Sequence, residues 1–166
     1  MITVGILTIG DKGARGERFD ESGQAIREIV ARLGGRVLKY ELVPDEAAII
    51  ATRLSAWADD GDCDLVLTTG GTGLGPRDVT PEATLSVVEK TVPGLAEAMR
   101  LETFGKTPAA LLSRAVAGLR KRCLIINLPG SPRAVRECLE VVLPAIPHAV
   151  AIIRGEVTEH APAGRD

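Results

Sequence analysis

Aromatic residues are almost missing from this chain: two Phe, one Tyr and one Trp make up 2% of its 166 residues. That scarcity excludes a surface built from rows of stacking rings, the device that grips single-stranded nucleic acid. The core must be aliphatic, and a ring-shaped ligand must be held mainly by other groups. Histidine is nearly absent too. The sequence places nothing at zinc-ligand spacing around His148 or His160, which argues against a histidine metal centre or a Ser-His-Asp hydrolase. The three cysteines, Cys63, Cys123 and Cys138, form no Cys-x-x-Cys pair, and an odd number cannot close a disulfide set. They read as small buried hydrophobes in a reducing cytosol. No window approaches the ~20 apolar residues that span a bilayer. The apolar run at 2–9 lacks the basic segment and small-residue cleavage site of a signal peptide, so it reads as a first strand. A soluble, cytoplasmic protein is expected. Excess charge is missing as well. Twenty basic and 22 acidic residues leave a net charge of −2, which excludes a generic polyanion binder.

What is present alternates in type. Apolar, β-branched runs at 2–9, 65–69 and 123–128 predict buried strands, and 37–43 alternates polar with apolar residues as an outer strand does. Between them lie helical patterns. Ile26, Ile29, Val30 and Leu33 follow the helical period until Gly34-Gly35 stops them. Ile49, Ile50, Leu54 and Trp57 mark a second helix, opened by Pro44-Asp45-Glu46. Thr80-Pro81 predicts a third, with Thr80 as N-cap and Pro81 at the first helical position. Residues 95–104 form an amphipathic stretch, and 107–119 suggest a short helix and then a short strand. Val135, Cys138, Leu139 and Val142 mark a further helix, and Pro144 and Pro147 reset a last one through Ile153. Residues 10–20 read as a polar, glycine-bearing loop. Strands alternating with helices predict a single doubly wound α/β domain over 1–160, its mostly parallel sheet covered on both faces, with a frayed tail at 161–166. Strand order is not readable from the spacing.

In such sheets ligands bind beyond the carboxyl ends of the strands. Gly10-Asp11, Pro44-Asp45, the run Gly70-Gly71-Thr72-Gly73-Leu74-Gly75 with Arg77-Asp78, and Gly130-Ser131 therefore converge on one edge. The glycine run lets backbone N–H groups turn toward one point with no Cβ in the way of an anion, and the hydroxyls of Thr69 and Thr72 can add donors. It is no Walker loop, because no Gly-Lys-Ser/Thr follows. Nor does it complete G-x-G-x-x-G, because Pro76 interrupts. Asp45 and Asp78 have bland readings as an N-cap and a solvated loop carboxylate. Beside a phosphate-binding loop they make better sense as Mg²⁺ ligands, with Asp11 a weaker third. Among the basic residues Lys12, Arg15, Arg77 and Arg133, only Arg77 and Arg133 directly flank candidate turns. Arg120-Lys121-Arg122 reads as an exposed edge or interface.

Thr69-Gly70-Gly71-Thr72-Gly73, Arg77-Asp78-Val79-Thr80-Pro81, Val43-Pro44-Asp45-Glu46, Leu128-Pro129-Gly130-Ser131 and the segment Leu112 to Gly118 resemble the MogA/MoaB-like molybdopterin-binding family. The likeness is strongest to its MogA-type molybdopterin adenylyltransferases. It implies a Mg²⁺-dependent reaction in which ATP and molybdopterin give adenylyl-molybdopterin and pyrophosphate, and the product passes to a molybdenum insertase. It also implies a homotrimer. Carried over by motif, Asp45 and Asp78 match the family's functional aspartates. Thr69, Gly70, Gly71, Thr72, Gly73, Asp11, Arg77, Gly130 and Ser131 would bind substrate or nucleotide. Many relatives carry Ser-Asp where this chain has Gly10-Asp11, so one hydroxyl is lost there. A non-catalytic carrier paralogue and a CinA-like nucleotide-processing enzyme are the competing readings.

Overall fold

A computed structural model describes residues 1–157 of the chain. The tail expected at 161–166 lies outside the described residues. The buried runs become strands β1 (Thr3–Ile9), β3 (Leu65–Thr69) and β6 (Cys123–Leu128), and the alternating run becomes β2 (Arg36–Val43). Two short strands complete the sheet: β4 (Lys90–Thr91), which periodicity does not mark, and β5 (Ala117–Arg120), the short strand suggested after a short helix in 107–119. The order is β2-β1-β3-β6-β5-β4. Strands β2, β1, β3 and β6 pair in parallel, and β5 runs antiparallel between β6 and β4. The antiparallel step follows from chain length: only Lys121 and Arg122 separate β5 from β6, and Lys121 turns the chain with φ 50°. A parallel connection would need a crossover of a dozen residues or more. The basic run at 120–122 is thus a hairpin, with Arg120 donating to both oxygens of Asp59.

Side-chain alternation on the central strands divides the core into two layers. Val4, Ile6, Leu65, Leu67, Leu124, Ile126 and Leu128 face α2 (Glu21–Arg32), α5 (Pro93–Phe104), α6 (Pro132–Val142) and α7 (Ile146–Ile153). Leu7, Ile9, Val66, Cys123 and Ile125 face α3 (Ala47–Asp59) and α4 (Thr80–Val87). The doubly wound architecture expected from the sequence is therefore observed. All three cysteines are buried, as expected of hydrophobes, and burial pushes the thiols of Cys63 and Cys123 up to about 11 and about 12. Among the described residues no helix is long and apolar enough to cross a membrane.

Two local expectations need correction. Residues 10–20 are not wholly loop, because Asp11–Ala14 closes one turn of helix, α1. Thr80 is not the N-cap of α4. Val79 holds that position, and the Thr80 hydroxyl donates instead to the Gly70 carbonyl at 2.9 Å. Tertiary bonding has taken the side chain that the local pattern assigned to the helix end.

One polar residue fixes the sheet's central register against its helical cover. Asn127 on β6 is fully buried. Its amide donates to the hydroxyls of Thr68 on β3 (3.0 Å) and Thr84 on α4 (2.9 Å), while its carbonyl oxygen accepts from the Val116 N–H at 3.2 Å. Asn127→Ala leaves that amide donor and two buried hydroxyls without their partner. We expect it to lower the unfolding free energy by about 3 kcal/mol, read as a reduced urea midpoint with unchanged m-value.

Candidate functional site

The chain moves from β1 outward to β2 and then returns to β3 on the opposite side of β1, so strand order reverses between β1 and β3. Loops leaving the ends of these two strands diverge, and a crevice opens between them. The divergence starts at Gly70 and Gly71, with φ of 97° and 70°. A Cβ on Gly70 would lie 2.2 Å from the Ile9 carbonyl oxygen, and one on Gly71 would lie 2.3 Å from the Thr80 hydroxyl. Both positions therefore require glycine on conformational and steric grounds together. The loop is then sewn down. The Gly70 N–H donates to the Leu128 carbonyl, the Thr80 N–H donates to the Gly71 carbonyl at 3.1 Å, and the Thr69 hydroxyl donates to the Pro129 carbonyl at 2.6 Å. Thr69 thus binds β3 to the loop after β6 and commits its proton within the protein.

On the facing side, Asp11 and Asp45 clasp each other through the backbone. The Asp11 N–H donates to the Asp45 carboxylate and the Asp45 N–H donates to the Asp11 carboxylate, both at 3.0 Å. Arg77 completes the assembly by donating to both oxygens of Asp11, at 3.0 and 2.9 Å. Its guanidinium holds the Asp11 carboxyl below the usual aspartate value. Asp45 shifts the other way. Burial, joined by the nearby charges of Asp11 and Asp78, pushes its carboxyl above the usual value. Asp45 is thus a carboxylate whose charge the surrounding protein leaves under-compensated.

Asp78 accepts from the Gly75 N–H at 2.9 Å, which ties the end of the glycine run into a turn. Gly130 and Ser131 follow β6. The Gly130 carbonyl accepts from the Ser22 hydroxyl at 2.6 Å, and Ser131 caps α6 by accepting from the Ala134 N–H. Arg133 pairs along its own helix with Glu137, its side chain 84% exposed.

Two cavities open here. One, of about 580 Å³, is walled by Met99, Ala109, Ala110, Leu112 and Ala115, and by Gly71, Thr72 and Gly73 of the glycine loop. The other, of about 810 Å³, is walled by charged and polar groups, among them Asp11, Lys12, Arg18, Asp20 and Asp45, together with Thr69 and Gly70. They share Gly71, Asp78, Gly130 and Ser131. The structure therefore gathers Asp11, Asp45, Asp78, the glycine loop and Gly130-Ser131 at adjoining clefts, whereas Arg77 reaches them through Asp11.

Over residues 5–148 the chain matches the family described as a probable molybdopterin binding domain. It belongs to that family. A molybdopterin adenylyltransferase of Helicobacter pylori (strain J99) is 47% identical over 156 residues, covering 93% of this chain and 89% of that protein. The molybdopterin adenylyltransferase of Escherichia coli (strain K12) is 38% identical over 175 residues, covering 97% and 90%. Among solved structures, the molybdopterin biosynthesis enzyme MoaB of Thermus thermophilus superposes with a TM-score of 0.88 at 57% identity, covering 93% of this chain and 98% of that one.

The family's implied magnesium can be tested against the residues present. Among the described residues no three His, Cys, Asp or Glu side chains form an all-protein cage. Asp45, desolvated and crowded by Asp11 and Asp78, is the kind of ligand a hard cation would relieve, and Mg²⁺ commonly takes one or two carboxylates and completes its shell with water and substrate phosphates. The donor set fits.

Sequence reasoning passed over three residues. Asp20 caps α2 and lines the polar cleft; its signal was Asp20-Glu21-Ser22-Gly23 ahead of the apolar periodicity. Arg114 donates to the carbonyls of Gly73 and Asp78, both at 2.8 Å, and pairs with Glu82. It lies in the motif segment Leu112 to Gly118, but its role was not legible there because its partners lie 41, 36 and 32 residues away in the chain. Phe19 lines the polar cleft while remaining 75% exposed.

The raised Asp45 carboxyl carries a stability consequence of definite sign. Between the ordinary aspartate value and its raised folded value, the native state binds more protons than the unfolded chain, so its contribution falls as pH rises through that window. Asp45→Asn keeps an acceptor for the Asp11 N–H and removes the titrating charge. The variant-minus-wild-type difference in unfolding free energy should therefore grow in the variant's favour as pH rises from the ordinary aspartate value through that window. Parallel chemical denaturation series at several pH values will read it.

Proposed function

We propose that this protein is a molybdopterin adenylyltransferase that acts in molybdenum cofactor biosynthesis, joining AMP from ATP to the terminal phosphate of molybdopterin and releasing pyrophosphate. The observation that carries this reading is the meeting of two clefts of different character along one wall, at Gly71, Asp78, Gly130 and Ser131. An enzyme that joins two substrates needs adjoining compartments and a common boundary where the reacting atoms meet. The names borne by the curated relatives support the same chemistry.

In this reaction a phosphate oxygen of molybdopterin attacks the α-phosphorus of ATP, and the bond from that phosphorus to the pyrophosphate oxygen breaks. The nucleophile is already ionised at neutral pH, so no strong general base is required. The task is to bring two polyanions together and to stabilise charge on the α-phosphate and the leaving group. N–H groups of the glycine loop and the N-terminus of α6 supply positive partial charge without reorganisation. Asp45 and Asp78 would hold Mg²⁺, which when bound neutralises phosphate charge and stabilises the leaving pyrophosphate. Asp11 and Arg77 keep Asp45 in place, and Arg114 keeps the glycine loop and Asp78 together.

The same reading extends to a homotrimer, to a cytoplasmic location and to hand-over of the product to a molybdenum insertase. Leu101 and Phe104 on α5, with Leu111 and Leu112 on the following turn, are exposed apolar side chains that suit self-association. A carrier that holds the pterin without reacting would have no need for both Asp45 and Asp78 beside the shared wall.

Asp78→Asn keeps an acceptor for the Gly75 N–H while removing the charge. Pyrophosphate release from ATP plus molybdopterin should drop by about 10²–10³-fold, the usual scale for losing one well-placed electrostatic group, with thermal stability preserved. Near-normal turnover would remove Asp78 from the machinery.

A further inference from the structure

Rings are rare in this chain, and one of the few stands at the mouth of the polar cleft. Among the described residues, Phe19 is the one aromatic that lines the two clefts. It is 75% exposed, which leaves most of the residue available to a ligand in the cleft.

Its placement is built rather than left to a loose loop. The next residue, Asp20, is held from three sides. Its carboxylate accepts from the Gly23 N–H at 2.9 Å, from the Thr8 hydroxyl of β1 at 2.7 Å, and from the Tyr40 hydroxyl of β2. Tyr40 is itself covered by the Arg27 guanidinium, 4.4 Å from the ring centroid. Helix α2 and two strands therefore fix the backbone beside Phe19, and the Glu21 N–H donates back to the Phe19 carbonyl at 3.1 Å. The cleft that Phe19 borders holds the cations Lys12 and Arg18 and opens onto the glycine loop, features that suit a phosphate attached to the ring system.

We infer that Phe19 is a ligand-binding residue whose ring stacks on the planar nitrogen heterocycle of the substrate occupying the polar cleft. This rests on the adenylyl-transfer reading, in which both substrates, ATP and molybdopterin, carry such a ring joined to phosphate. Stacking tolerates either heterocycle because each presents a π face.

Equilibrium titration of the full chain with ATP–Mg²⁺ and, separately, with molybdopterin tests the inference without requiring turnover. In Phe19→Leu, which keeps apolar bulk but lacks the ring, Kd for one of the two ligands should rise about tenfold, and Phe19→Tyr should restore it. A rise confined to ATP identifies the stacked ring as adenine; a rise confined to molybdopterin identifies it as the pterin. Because Phe19 is exposed, unfolding midpoints should not move. Unchanged affinity for both ligands in Phe19→Leu overturns the inference, and so does a Tyr variant that binds no better than Leu. Pyrophosphate release by wild type, measured alongside, reports separately on adenylyl transfer.

Discussion

The cleft depends on one close approach, that of the Gly70 backbone to the Ile9 carbonyl. Loops leaving adjacent parallel strands diverge where the strand order reverses, as it does between β1 and β3. Here β1 and β3 part company because the chain turns back immediately after Thr69, through conformations and a spacing that admit no Cβ. Everything else at the site follows from that turn. It places the glycine run opposite the loops after β1 and β2 and brings Thr80 within reach of the Gly70 carbonyl. It also sets the loop after β6 close by, so that a Cβ on Gly130 would lie 3.6 Å from the Gly70 Cα.

Charge is arranged with similar economy. A chain of net charge −2 has no strong net field to draw in polyanions, and acidic side chains line its polar cleft. The protein compensates only part of that acidity. Arg77 neutralises Asp11, whereas Asp45 stays desolvated and crowded. Under the adenylyl-transfer reading, a site of this kind would favour a cation together with phosphate over phosphate alone, so that metal and nucleotide would bind as one ligand. On the same reading, helix and loop N–H groups would contribute where the phosphates sit, without adding net charge to the surface.

Much of this was legible in the sequence, and for identifiable reasons. Strands β1, β3 and β6 are buried on both faces, so their runs are almost purely apolar, and β2 alternates because it lies at the edge. The glycine run was legible because its backbone geometry tolerates no other residue at Gly70 and Gly71. Strand β4 was obscure because two residues are too few to express a period, whereas the short strand suggested at the end of 107–119 is β5. Thr80 misled because Thr-Pro at a helix start has a good local explanation that a longer-range bond displaced. The contacts of Arg114 within its motif segment and the bond between Ser22 and Gly130 span tens of residues, and the placement of Phe19 depends on exposure, so no local pattern specifies them. The aromatic scarcity, taken as a bulk property, gave no sign that Phe19 lines the polar cleft.

The Asn127 network gives the two walls of the cleft unequal standing. On one side, the roots of the loops after β3 and β6 are joined through fully buried bonds among Thr68, Thr84 and Asn127, and Arg114 staples the glycine run from outside. On the other, α1 has no buried residue, and its attachment runs through the partly exposed clasp of Asp11, Asp45 and Arg77. Separating the first wall means breaking the core, so its opening free energy approaches that of global unfolding; releasing the second means breaking a handful of solvent-accessible bonds. The cleft therefore has one wall anchored in the core and one held by solvent-accessible bonds, and the free energies needed to open them differ accordingly.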